Sequence, residues 1–484
     1  LSALTIPTVI VVVYVVVLLA IGFVAARLAR RGGESFFLAG RQLPALLVAV
    51  TVTGLAVGGA STIGVAQNAF EGQGLAAGWY GVAWSISALV VGLVVSGRYR
   101  RLGVVTVPQL FESRYDRKGL TACVVVQVLV QIVITSLQYV AGGAILNQLL
   151  PEVFPTVAAG MVFSAIVFVA LTMAGGLWSA SLSNILNVTL ICLGVALAAA
   201  LSLRATGGWE RLAGSLPSDK DYFHPVAGFG WSNIVIFTLV LVTCNVSFQA
   251  TVQIAFAARD ANAARRGFVL AALLMLPIGF LAALIGVAAR ANYPDLTEAA
   301  TALPRMVSSR HLHPLAAGVT LAALWAADVS TACGLLLSSA TIIVRDILPR
   351  RLVRVQDQAS LLVNRLVVLM IGAVTLVLAL QIEGILNALM KGLSLMTGPT
   401  VVVLFTFFAP RLCRVSSAFW TISAGVLVAA VWLAMPAWQE RLHVIYVAWV
   451  VCLTVFLIVS IFDTRSIRES PVPEDMARPF NKVG

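Results

Sequence analysis

Residues 54–64 read GLAVGGASTIG, four glycines in eleven positions of an otherwise largely apolar run. Glycine weakens a helix interior, yet in a membrane it also lets neighbouring helices approach closely. Alone, the stretch fits a broken helix or a tight crossing. A second stretch bears on the choice. TLVLVTCNVSFQATVQ, residues 238–253, carries the polar patch CNVSFQ in mid-span. The two lie five helices apart. Interruptions at matching places in two halves point to inverted repeats with a binding site near the bilayer midplane.

Composition sets the surroundings. The chain of 484 residues is 60% hydrophobic and 11% charged, with a mean hydropathy of +0.98; soluble domains carry about 25% charged residues. Apolar windows long enough to cross a bilayer, about 20 residues each, follow one another about thirteen times. The expected fold is an all-α polytopic membrane protein with a five-plus-five inverted-repeat core, 43–204 and 231–408, in a single transporter domain spanning 1–484. Residues 6–26 form an accessory helix, 416–462 two more, and 463–484 a tail. A β-barrel is excluded, because its strands alternate instead of staying apolar over twenty residues. The first segment is too long for a signal-peptide core and has no basic residue before it.

Most of the 32 Lys and Arg residues fall in 27–41, 98–118, 259–266, 345–354, 411–414 and 465–482, all in connections that the expected spans place on one side of the membrane. The positive-inside rule then puts the N-terminus outside and the tail in the cytoplasm of a cell (plasma or inner) membrane. The charge of +12 is thus an orientation signal, and no nucleic-acid partner is implied. The six cysteines make no metal-type spacing. His224, His311, His313 and His443 lie in or beside outer loops, and no His, Asp or Glu cluster falls within the spans, so an enzyme is not expected.

Four motifs together resemble the sodium/solute symporter family, which includes proline and pantothenate permeases and sodium/sugar cotransporters. They are FFLAGRQLP (36–44), GGASTIG (58–64), FQATVQIAFAARDANAARRG (248–267) and AADVSTACGLLLSSATIIVRDIL (326–348). The resemblance implies a leucine-transporter-type fold, no cofactor beyond sodium as coupling ion, and symport of a small organic solute by alternating access. No obligatory protein partner is evident besides the lipid bilayer around the chain. It also implies a sodium site from carbonyls of Ala60, Ile63 and Ala327 and hydroxyls of Ser330 and Thr331. Positions 327, 330 and 331 share one helix face, and an unwound helix frees carbonyls for a hard cation. The alternative is that both hydroxyls bond back along their own helix.

Two departures stand out. The family's usual aspartate in the sixth helix is Asn184 here, whereas Asp328 stands where an apolar residue is usual. At 100° per residue Asp328 points about 60° from Thr331 and about 160° from Ser330. It reads as support for a bound cation, as a protonatable carrier in a proton-coupled transporter, or as a structural partner of Asn184 or Ser183. An aromatic residue found in some sugar-transporting relatives is Cys244 here, and an arginine often present after the second glutamine is Ile254.

Solute candidates are Gln67, one turn past Ile63, with Gln138, Asn245 and Gln249. Buried glutamines also serve as links between helices. Lys391 either snorkels to the interface or attracts an anionic solute in an outer vestibule, which leans the reading towards an amino acid, carboxylate or vitamin-like substrate. A solute sensor that signals through a separate partner chain is the reading from another class.

Overall fold

The computed structural model describes residues 5–29, 33–218, 220–307, 314–348, 358–381, 392–435, 438 and 441–467. Among these the chain is helical apart from short connections, and no strand forms beyond two isolated bridges. The principal helices are α1 (Thr5–Ala29), α2 (Ala45–Ala56), α3 (Trp79–Val90), α4 (Arg117–Leu149), α5 (Val157–Ala205), α6 (Trp231–Ser247) and α7 (Gln249–Ala257). They continue with α8 (Ala261–Asn292), α9 (Pro314–Ile342), α10 (Gln358–Ala379), α11 (Thr397–Phe408), α12 (Ser417–Leu433) and α13 (Val444–Phe462).

Among the described residues eight helices are long and apolar enough to cross a membrane, and the pair α6 and α7, bent by 52°, makes a ninth. The thirteen expected segments are not recovered as separate spans, for two reasons. Ala45–Ala56, Gly392–Phe408 and Ser417–Trp432 are short, and Ala60–Arg101 and Val157–Ala205 each run on through an internal turn. A straight 49-residue helix would measure about 74 Å, more than twice a hydrocarbon core of about 30 Å. Gly176, at φ 55° and ψ −135°, breaks α5 part-way along. Positive φ at Gly72 and Gly74 does the same before α3.

Polar residues set the starts of three long helices. Asp116, Thr156 and Asp260 each accept a hydrogen bond from a backbone N–H in the first turn of α4, α5 and α8. The Ala263 N–H, 2.7 Å from Asp260, holds that carboxyl below its ordinary range.

The centre belongs to α9. In its span 89% of the most apolar window is buried inside the protein, against 28% for α1. It packs on α5 and α4, and α8 packs on α2 and α3. Buried polar residues are frequent in this core, Ser330, Thr331, Asp328, Gln138 and Asn184 among them.

The segment 36–44 closes one end of the bundle. Leu43 pairs with the chain at 257–259 (Leu43 N–H to the Ala257 carbonyl 3.1 Å, Arg259 N–H to the Leu43 carbonyl 2.9 Å). Arg41 is ion-paired to Glu34 at 2.6 Å and donates to the Gly103 carbonyl at 2.8 Å. Gln253 donates to the carbonyl of Phe37 and the hydroxyl of Thr341.

A methyl group at Gly176 would run into the Phe36 carbonyl, on a residue already at left-handed φ. Gly176→Ala is therefore expected to cost about 1–3 kcal/mol. The check is the melting temperature in detergent, which should fall by several degrees.

Candidate functional site

Two helix breaks and one continuous helix build the site. The first break follows α2. Val57, at φ −96° and ψ 83°, leaves the helix, and after Gly58 and Gly59 the chain resumes as a π-helical turn, Ala60–Gly64. A helix that stops strands its last carbonyls, and one that restarts strands its first N–H groups. The free oxygens therefore lie before the break. The hydroxyls of Ser330 and Thr331 both donate to the Gly54 carbonyl, at 2.6 and 2.9 Å. Ser330 also reaches the Ala327 carbonyl at 2.8 Å. Thus the expected α9 residues meet α2, and the backbone oxygen they meet is Gly54. Ala60 and Ile63 sit in the π-helical turn with which the chain resumes after the break. The back-bonding alternative holds in part, since Ser330 bonds within its own helix and across to α2 at once.

The oxygens of Gly54, Ala327, Ser330 and Thr331 are neutral, and each lies within hydrogen-bond distance of at least one other of the four. Such a set suits a hard cation. Among the described residues no group of three or more His, Cys, Asp or Glu offers a transition-metal site.

Asn184 lies against Gly54: a Cβ on that glycine would stand 2.5 Å from the Asn184 amide nitrogen. A chain of polar side chains supports it. Tyr14 of α1 donates to Asn187 Oδ1 at 2.8 Å, and Asn187 Nδ2 donates to Asn184 Oδ1 at 3.3 Å. Asp328 approaches the break at another point. It is fully buried, neither of its oxygens makes a hydrogen bond, and Oδ1 lies so near Gly59 that a Cβ there would meet it at 2.8 Å. The Gly59 N–H is directed to Gln138 Oε1 at 3.0 Å.

The second break is at Phe248, extended between α6 and α7. Gln127 spans it, donating to the Ser247 carbonyl at 2.7 Å and accepting from the Gln249 N–H at 3.0 Å. Between the two breaks lies a small cavity of about 30 Å³, bounded by Gly58, Tyr80, Gln138, Phe248, Thr331 and Leu393 among others. That is room for a few water molecules. An organic solute needs the bundle to open.

Of the residues expected at a solute pocket, Gln138 borders this cavity. Gln67 does not: it is half-buried and donates to Glu71 Oε1 at 2.9 Å, one turn on. Gln249 is tied to the backbone at Val105 and Val107 near the closed end, and Asn245 accepts from Thr251 across the second break and donates to Leu241 within α6. Each makes structural hydrogen bonds away from the cavity. Lys391 lies outside the described residues. The sequence reading overlooked Gly54, Tyr14 and Asn187. Asn187 was one turn beyond Asn184 and Tyr14 a lone polar group in an apolar span, so both carried a signal.

The family model for the sodium:solute symporter family matches residues 36–425. Sodium/glucose cotransporter 4 of Danio rerio is 25% identical, over 96% of this chain and 79% of that protein. The sodium/pantothenate symporter of Escherichia coli (strain K12) is also 25% identical, over 76% and 78%. Among solved structures, a Na+-coupled sialic acid symporter in a substrate-bound outward-open state superimposes with a TM-score of 0.80 at 17% identity, over 96% of this chain and 99% of that one. Mhp1, a nucleobase-cation-symport-1 family transporter, gives 0.61 at 15% identity, over 88% and 93%.

If Gln138 holds the first break, Gln138→Ala removes the acceptor of the Gly59 N–H, and the loss of such a buried partner costs about 1–3 kcal/mol. Amide hydrogen exchange at 57–61 should then quicken by roughly five- to a hundredfold. Gln67→Ala should leave exchange there unchanged.

Proposed function

We propose, from the premise that the chain belongs to the sodium:solute symporter family, that it takes up a small organic solute driven by sodium entry. Like its relatives it is a membrane transporter and not an enzyme. In this reading thirteen segments cross a cell membrane with the N-terminus outside and the basic loops in the cytoplasm. Residues 43–204 and 231–408 form the two inverted repeats that alternate access around a fixed centre.

The observation that carries the reading is the meeting of two α9 hydroxyls at one carbonyl released by the broken helix. Sodium would be held by the oxygens of Gly54, Ala327, Ser330 and Thr331. It would replace hydroxyl-to-carbonyl hydrogen bonds with ion–oxygen contacts and so tie α9 to α2. Thr331 also borders the central cavity, so an ion there can stabilise the wall against which a solute packs. The solute would set an apolar part against Tyr80 and Phe248 and a polar group against Gln138. Cys244 offers no ring for a sugar, which favours an amino acid, carboxylate or vitamin-like compound.

Asp328 supports a second reading, proton-coupled transport on the same fold. A lone carboxylate at this depth costs at least about 2.5 kcal/mol unless compensated, and either a nearby cation or a proton supplies that. Under the sodium reading Asp328 and Asn184 flank the ion site from different sides.

Uptake into proteoliposomes, screened over amino acids, carboxylates, sugars and vitamins with sodium and proton gradients applied separately, tests both readings. Sodium-driven uptake is expected. Ser330→Ala and Thr331→Ala should each raise the half-maximal sodium concentration roughly five- to a hundredfold, the equivalent of about 1–3 kcal/mol for a lost polar partner. Unchanged sodium dependence in both variants would remove the ion site.

Asp328→Asn should also weaken sodium binding, and the pair Asn184→Asp with Asp328→Val should restore part of it. Uptake that follows a proton gradient, needs no sodium and vanishes in Asp328→Asn would establish the second reading instead.

A further inference from the structure

The inference concerns the outer surface. Near their starts α4 and α12 touch: a Cβ on Gly119 would stand 2.8 Å from the Ala418 Cβ. Beside that contact runs an open groove of about 690 Å³ between Arg117–Val126 of α4 and Phe419–Ala430 of α12. Its walls are apolar and outward-facing, with Val125 56% and Leu427 66% exposed. At one end stand Arg117 and Lys118, both exposed, and neither forms an ion pair among the described residues.

The neighbouring carboxylates are already engaged. Asp116 accepts from the Gly119 N–H at 2.7 Å. Asp463 accepts from the Ser416 hydroxyl at 2.6 Å and from Arg465 at 3.1 Å, and Arg465 holds its carboxyl well below the ordinary carboxylate range. This end of the groove therefore presents two exposed cations, without an ion-pair partner among the described residues, beside an apolar channel.

We propose that the groove holds an anionic phospholipid, its phosphate between Arg117 and Lys118 and an acyl chain along Val125, Val426 and Leu427. Charge complementarity selects this occupant. Basic residues between membrane helices at the level of the headgroups attract anionic lipid. A second copy of the chain is the less suitable cover, because a twofold contact presents the same patch from both sides and would bring four cations together. The lipid would fill the seam between the accessory helix α12 and the core helix α4.

Native mass spectrometry of the purified full chain, with phosphatidylglycerol or phosphatidylethanolamine of the same acyl composition, tests the proposal. Phosphatidylglycerol should be retained at least tenfold better. Arg117→Gln with Lys118→Gln should lower its retention roughly thirtyfold, the strength of two basic residues near an anionic surface, and leave phosphatidylethanolamine unchanged. Leu427→Trp, which obstructs the channel without altering charge, should lower phosphatidylglycerol retention severalfold. All three positions are exposed, and size-exclusion profiles matching the parent protein verify folding. No preference in the parent protein overturns the proposal. So does retention that survives Leu427→Trp, which would mean attraction at the surface without the groove. Disulfide-linked dimers of Val426→Cys formed in bilayers would assign the groove to a second copy.

Discussion

Interrupting a helix inside a low-dielectric core exposes backbone groups that no bulk water can satisfy, and each such group left alone is costly. Among the described residues two interruptions flank the central cavity. The means of satisfying both come largely from α4. Gln138 receives the Gly59 N–H at the first break, and Gln127 clamps both sides of the second. Eleven residues separate the glutamines, about three turns, so they lie on nearly the same helix face. α4 thus sets the two breaks at a fixed separation, and the central cavity is the space left between them.

The fold class was legible because it rests on hydropathy and breaker placement, which are local properties. The two polar or glycine-rich stretches do mark helix breaks, at Val57–Gly59 and at Phe248. The face of α9 was legible too, since helical spacing alone puts 327, 330 and 331 together. Which carbonyls would meet that face was harder. It depends on where within GLAVGGASTIG the helix stops, and four glycines leave several equivalent places. The α9 hydroxyls reach the Gly54 carbonyl upstream of the break, while Ala60 and Ile63 lie in the turn that follows it. Glutamine roles were less legible still. An amide suits a ligand and a backbone brace equally well, and only the geometry separates Gln138 at the cavity from Gln67 beside Glu71.

The pairing of Asn184 and Asp328 also changes meaning in three dimensions. They approach the broken helix at Gly54 and Gly59 respectively, five residues apart across the interruption. Asn184 is the end of a relay that begins at Tyr14 on α1. The outer helix is thereby connected to the centre by neutral hydrogen bonds. Asp328 has no comparable relay among the described residues.

The closed end of the bundle has a consequence for speed. Segments 34–43, 103–107, 249–259 and Thr341 are joined there mainly through backbone carbonyls and amides, with Arg41, Gln249 and Gln253 serving several partners each. The same few side chains therefore tie all the segments of this knot together. Any motion that opens this end must release several hydrogen bonds before new ones form. Such a step has a large activation enthalpy. The rate of opening will therefore rise steeply with temperature, even though the resting structure hardly changes.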